Sequence, residues 1–191
     1  MTEKLTLEEQ AILLIVARDA ILHATQEKTL PEIKIEAYSQ SLQEQGASFV
    51  TLHSKVERKL RGCIGSLEAY QPLIHDVQLN AVAAALEDYR FPPVRFEEVK
   101  DLQIEISRLT PPKVLIYSEQ RQLPELLRVG IDGVILRDGF RRATFLPQVW
   151  QQLPHPEMFL SQLCSKMGGP SDLWRTKKLE VLIYEVEEFQ E

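Results

Sequence analysis

Residues 47–66 read ASFVTLHSKVERKLRGCIGS, and the way this stretch folds decides the architecture of the chain. Phe49, Val50, Thr51 and Leu52 favour extended backbone, which predicts a strand over residues 47–53. A polar run, residues 54–59, separates it from a second extended stretch, residues 61–66. Together they predict a β-hairpin whose return strand carries Cys63. Strands joined this closely pair antiparallel, because a parallel pair needs a long crossover.

The pattern continues on both sides. Thr6 with Glu9 forms a capping box, and Ile12, Ile15, Val16, Ala20, Ile21 and Leu22 then predict a helix over residues 7–24 with one core face. Residues 32–45 read as a more polar, partly irregular segment ending at Gly46. Beyond the hairpin, Pro72 opens a helix over residues 72–87, with Leu73, Ile74, Val77, Ala81, Ala84 and Ala85 on its buried face. Pro92-Pro93 stops any continuation. Leu102, Ile104 and Ile106 alternate with polar residues and predict a half-buried strand, closed by Pro111-Pro112.

In the second half, residues 114–117 read as a short apolar strand and residues 123–129 as a short helix ending at Gly130. Residues 131–146 predict a second hairpin, turning at Asp138-Gly139 as a type I′ turn. Short helices start at Pro147 and Pro156, the latter burying Phe159, Leu160, Leu163, Cys164 and Met167. Residues 179–189 read as one last strand. Antiparallel hairpins with flanking helices, rather than a regular βαβ alternation, make an α+β fold. The two Pro-Pro pairs are the candidate boundaries between two subdomains around a cleft.

Bulk properties narrow the function classes. The chain has 191 residues, enough for one sizeable core or two smaller lobes. Its net charge of −6 disfavours nucleic-acid binding, although residues 55–61, 141–142 and 175–178 are locally basic. Two cysteines make no disulfide framework and suit a reducing cytoplasm. The start Met1-Thr2-Glu3-Lys4 lacks a basic leader, and the apolar run at 11–17 is too short to span a membrane. No membrane association is expected.

The residues with the most chemistry lie at Leu60-Arg61-Gly62-Cys63-Ile64-Gly65. One of two cysteines and two of eight glycines fall within these six positions. Two readings fit. Glycine admits close approach of a ligand to the backbone, and a thiol beside a cation ionises more easily, so the segment can be a reactive thiol on a bare platform. Arg61 and Cys63, two apart on a strand, would then share a face. The alternative is a close-packed strand needing small residues, with an inert cysteine. A second candidate is Asp88-Tyr89-Arg90-Phe91, where acidic residues meet the negative end of a helix dipole unless specially paired. Arg90 or Arg95 can supply that pairing. His53, or His75 with Asp76, would be the base for a Cys63 nucleophile. Cys164 reads as core, and Lys166 as a candidate cleft residue. No metal-ligand spacing, GxGxxG or P-loop is present, so the residues imply no particular cofactor.

These segments, with residues 83–93 (AAALEDYRFPP), 102–112 (LQIEISRLTPP), 129–133 (VGIDG) and 142–150 (RATFLPQVW), resemble the AMMECR-type domain. In bacteria and archaea that family is called AmmeMemoRadiSam system protein A. The resemblance spans nearly the whole chain in the right order. It departs at Tyr89, where the family has a small or polar residue, and at 56–59, where it often has a Gly-containing turn. It implies a single α+β domain of two subdomains sharing a cleft, with the hexad as its hallmark. Cys63 and Asp88 are the implied catalytic candidates, and Arg61, Gly62, Ile64, Gly65, Arg90 and Phe91 the implied binding residues. It also implies a Memo-like protein and a radical-SAM protein as partners. Two functions follow as expectations. One is a Cys-dependent accessory enzyme with a cleft for a small anionic ligand. The other is a non-catalytic binding or adaptor module in which the hexad is a packing strand.

Overall fold

The computed structural model describes residues 4–57 and 59–191. Met1, Thr2 and Glu3 of the leader reading, and Arg58 of the basic stretch, lie outside the described residues. The helices are α1 Leu7–Ala24, α2 Gln40–Gln43, α3 Leu73–Leu86, α4 Leu123–Leu126, α5 Pro156–Lys166 and α6 Leu173–Thr176. The strands are β1 Gln45–Ser54, β2 Leu60–Gly65, β3 Gln71–Pro72, β4 Leu102–Leu109, β5 Lys113–Val114, β6 Gly133–Asp138, β7 Arg141–Phe145, β8 Glu180–Tyr184 and β9 Val186–Gln190. The fold is α+β, with two antiparallel sheets.

The chain divides into two compact units. The first holds residues 4–110 and the returning Glu187–Glu191; the second is Pro111–Val186. The division falls at Pro111-Pro112, whereas Pro92-Pro93 lies inside the first unit.

In the first unit the sheet runs β2-β1-β4-β9, and β3 adds a short pairing with β1. The predicted hairpin is β1–β2, in register from Phe49 opposite Gly65 to Leu52 opposite Gly62. α1 and α3 supply the helical side of the core, with Leu13, Ala17, Ile21, Ile74, Val77 and Ala81 packed with Val50, Leu52, Ile104 and Ile106. The capping box at Thr6 and Glu9 is present. The core face of α1 differs from the expectation: Leu13, Ala17, Ala20 and Ile21 are buried, while Ile15 is 60% exposed. Ile12, Leu14, Val16 and Leu22 also touch the core, so α1 is apolar around most of its circumference and periodicity alone cannot fix its phase.

In the second unit the sheet order is β5-β8-β6-β7. Its core joins Val134, Leu136, Trp150, Phe159, Leu160 and Leu163, with the Trp150 and Phe159 rings stacked at 3.7 Å. Three local expectations are corrected. The β6–β7 turn is Gly139-Phe140, because Asp138 pairs across with Arg141. Gly139 takes the positive φ of 61° at the first central position, the type II′ arrangement. Asp138 stays in the strand because Arg141 and Lys177 both hold its carboxylate. Residues 114–117 give only the end of the two-residue β5, and Ile116 is 87% exposed. The single last strand is two, β8 and β9, in different sheets. The change falls at Glu185, the first charged residue after the apolar run 181–184, which the reading of a single alternating strand passes over. Among the described residues, no helix is long and apolar enough to cross a membrane.

Candidate functional site

β2 is the terminal strand of its sheet, so one side of it faces away from β1. Gly62 and Gly65 explain why it is built from small residues. A Cβ on Gly62 would stand 2.1 Å from the Ala84 carbonyl oxygen of α3. One on Gly65 would stand 2.3 Å from the Phe49 ring. The bare backbone of the hexad is therefore filled by helix α3 and by Phe49. Ile64 packs, partly buried, against the first core.

Arg61 is placed differently from the strand expectation. Leu52 pairs with Gly62 but His53 pairs with Leu60, which leaves Arg61 as the extra residue of a β-bulge. Bulges re-aim side chains and break the two-residue alternation. Arg61 Nη1 donates to the Pro92 carbonyl at 2.8 Å, and Nη2 lies 3.3 Å from Glu98. Its charge is thus spent on the segment after α3 rather than beside the thiol.

The cation that hydrogen-bonds to the Cys63 backbone is Arg90. α3 ends at Leu86 with Glu87 as its C-cap, and Asp88 follows, only 5% exposed. Asp88 Oδ2 accepts from the Cys63 N–H at 2.9 Å. Arg90 Nε donates to Oδ1 at 2.9 Å and Nη2 to Oδ2 at 2.6 Å, a bidentate fork. Arg90 Nη2 also reaches the Cys63 carbonyl at 3.3 Å. The Arg90 hydrogen bonds hold the Asp88 carboxyl well below the usual carboxylate range despite its burial, and the Cys63 N–H adds to this. Arg90 lies 5.5 Å from the centre of the Phe91 ring. The Arg90 pairing resolves the helix-end conflict seen in the sequence.

The thiol itself is half-buried, and Thr51, directly across the hairpin, donates to Cys63 Sγ at 3.3 Å. Thr51 escaped the sequence reading, although a hairpin in this register puts it opposite Cys63. The proposed acid partner for His75 is otherwise engaged. Asp76 is fully buried and accepts from Ser48 N and Oγ, Asn80, Ser66 and Gln71. His53 sits at the bulge, opposite Leu60. Cys164 is fully buried, and burial pushes its thiol up, as a core cysteine requires. Lys166 Nζ donates to the Thr144 carbonyl at 3.0 Å. Among the described residues, no group of three or more His, Cys, Asp or Glu is placed to hold a metal ion.

Comparison with known proteins agrees with this frame. A protein of Methanocaldococcus jannaschii is 36% identical over 98% of this chain and 92% of its own length. One of Methanopyrus kandleri is 38% identical over 100% of this chain and 92% of its own. The crystal structure of an uncharacterized protein from Pyrococcus horikoshii is similar with a TM-score of 0.73 and 34% identity, covering 94% of this chain and 89% of that one. The AMMECR1 pattern itself matches residues 14–189, which takes in both sheets and the clamped hexad, and the chain belongs to the AMMECR1 family.

Proposed function

We propose that the protein is a non-catalytic binding or adaptor module of the cytoplasm, acting with a Memo-like protein and a radical-SAM protein. The observation that carries this reading is the saturation of the hexad by the fold itself. Both glycines are filled by neighbouring packing, and both backbone groups of Cys63 are taken by Asp88 and Arg90. The motif in this reading is a rigid edge that holds the end of α3 and the segment behind it.

Pull-down and calorimetry with a Memo-like protein and a radical-SAM protein test it. Wild type and Cys63→Ser are expected to bind alike. Arg61→Ala, which frees the segment carrying Pro92 and Glu98, is expected to weaken binding. Loss of binding in Cys63→Ser, or no complex with either protein, overturns the reading.

One observation favours the Cys-dependent alternative: the thiol is only half-buried and receives a hydrogen bond from Thr51. In that reading Cys63 acts on a small anionic ligand steered by Arg90. Native-state alkylation of Cys63 that is fast, and that a bound small anion slows, supports it. Slow labelling that no small anion alters removes it.

A further inference from the structure

We infer that the Asp88–Arg90 pair is a plug on the edge of β2, and that lifting it lets β2 pair with the β2 of a second copy of this chain. An edge strand presents N–H and C=O groups that template further pairing, and proteins blunt such edges. In β2 the groups of alternate residues turn toward β1: Gly62 and Ile64 stand opposite Leu52 and Val50, and the Ser66 N–H donates to the Ser48 carbonyl at 2.8 Å. Cys63, between them, turns its groups outward. Its N–H donates to Asp88 and its carbonyl accepts from Arg90. An added antiparallel strand takes these same two groups in a hydrogen-bonded pair. One carboxylate and one guanidinium thus occupy the place of a strand residue.

The occupant follows from the sequence of the edge. About a two-fold axis at Cys63, antiparallel pairing sets Cys63 against Cys63 and Gly62 against Ile64, and the bulge at Arg61 ends the regular run on either side. No two cations face each other within it, and each Ile64 meets a glycine. This pairing is independent of the partner proteins proposed above.

The test uses the full chain. A hydrogen-bonded pair sets Cα atoms about 5.5 Å apart, within disulfide reach. Diamide cross-linking and light scattering are read on wild type, Asp88→Ala, and Asp88→Ala combined with Cys63→Ser or Cys63→Pro. Asp88→Ala is expected to dimerise with concentration and to cross-link several-fold more than wild type. With Cys63→Ser it dimerises without cross-linking. With Cys63→Pro, which removes the outward N–H that an edge strand tolerates losing, it returns to monomer. A folded Asp88→Ala that stays monomeric overturns the inference. So does a dimer that Cys63→Pro leaves intact, or a wild type that cross-links as readily. Should Asp88→Ala fail to fold by circular dichroism, Asp88→Ser decides on the same readouts, since the shorter, uncharged side chain neither reaches the Cys63 N–H nor holds the Arg90 fork.

Discussion

Asp76 and Asp88 stand at opposite ends of α3, and each reaches across to the first sheet, but different chemistry grips them. Asp76, at the start of the helix, takes only neutral donors: the Ser48 N–H at 2.8 Å, the hydroxyls of Ser48 and Ser66, and the amides of Asn80 and Gln71. It is fully enclosed and ties α3 to β1. Asp88, past the helix end, takes one backbone N–H of β2 and a charged fork from Arg90, whose side chain is 44% exposed. One end of α3 is sealed into the core. The other depends on an arginine that solvent can reach. The hexad therefore meets the end of α3 whose clamp solvent can reach.

The sharpest way to break this comparison is to remove the inner carboxylate. Asp76→Ala leaves several enclosed donors without an acceptor, each costing about 1–3 kcal/mol. The expected loss is on the order of 3 kcal/mol or more, read from the urea midpoint at constant slope. A loss smaller than that of Asp88→Ala would mean that the sealed end is not the stronger one. Gly62→Ala comes next. Its Cβ meets the backbone oxygen of Ala84, which no rotamer change relieves, so α3 must shift from β2. A loss of about 1–3 kcal/mol is expected, as for an overpacked core. A variant as stable as wild type would show that the helix end yields freely.

Asp88→Asn probes the charged fork. Hydrogen bonds to charged groups contribute about 1.5–3 kcal/mol, and the exposure of Arg90 argues for the lower part of that range. The sign with pH is fixed by the direction of the shift. The native carboxyl is held below its unfolded value, so its stabilisation is complete above that unfolded value, about pH 4. It is lost as pH falls through the native value. The difference in melting temperature between wild type and Asp88→Asn is expected to be level near neutrality and to narrow below about pH 4. A difference that widens on acidification would reverse the assignment.

Much of this frame was readable from residue patterns, and the failures share a cause. The buried face of α3 was legible in its apolar residues, although Leu79 is 46% exposed and Asp76, Gln78 and Asn80 are buried beside them. That of α1 was not, because Ile12, Leu14 and Val16 also touch core and leave no clear polar side. The β1–β2 hairpin followed from its residues, but the bulge at Arg61 did not, and one extra residue was enough to send the cation to Pro92 and Glu98. Asp88 stood out by its misfit with the helix dipole, and its Arg90 partner was among those anticipated. The Asp76 network was opaque, since Ser48, Ser66 and Asn80 meet only once β1 and α3 are packed. The division at Glu185 was missed because no Gly, Pro or other turn residue interrupts 179–189, although the apolar run 181–184 ends there.

The smallest expected effect concerns the thiol that the clamp leaves uncommitted. Thr51→Val keeps the β-branched shape that suits β1 and removes only the hydroxyl that donates to Cys63 Sγ. Stability is expected to stay within about 0.5 kcal/mol, since sulfur is a weak acceptor and the site is not fully enclosed. The informative readout is native-state alkylation of Cys63, with Asp88→Asn as the comparison. If access to the thiol is governed by the strand edge, Asp88→Asn accelerates labelling and Thr51→Val leaves it nearly unchanged. If the hydroxyl tunes the sulfur, the order is reversed, and the Cys-dependent reading gains over the adaptor. The two variants touch opposite sides of the same residue, one its backbone and one its side chain. Their order therefore separates a strand that happens to carry a cysteine from a cysteine that the strand is built to present.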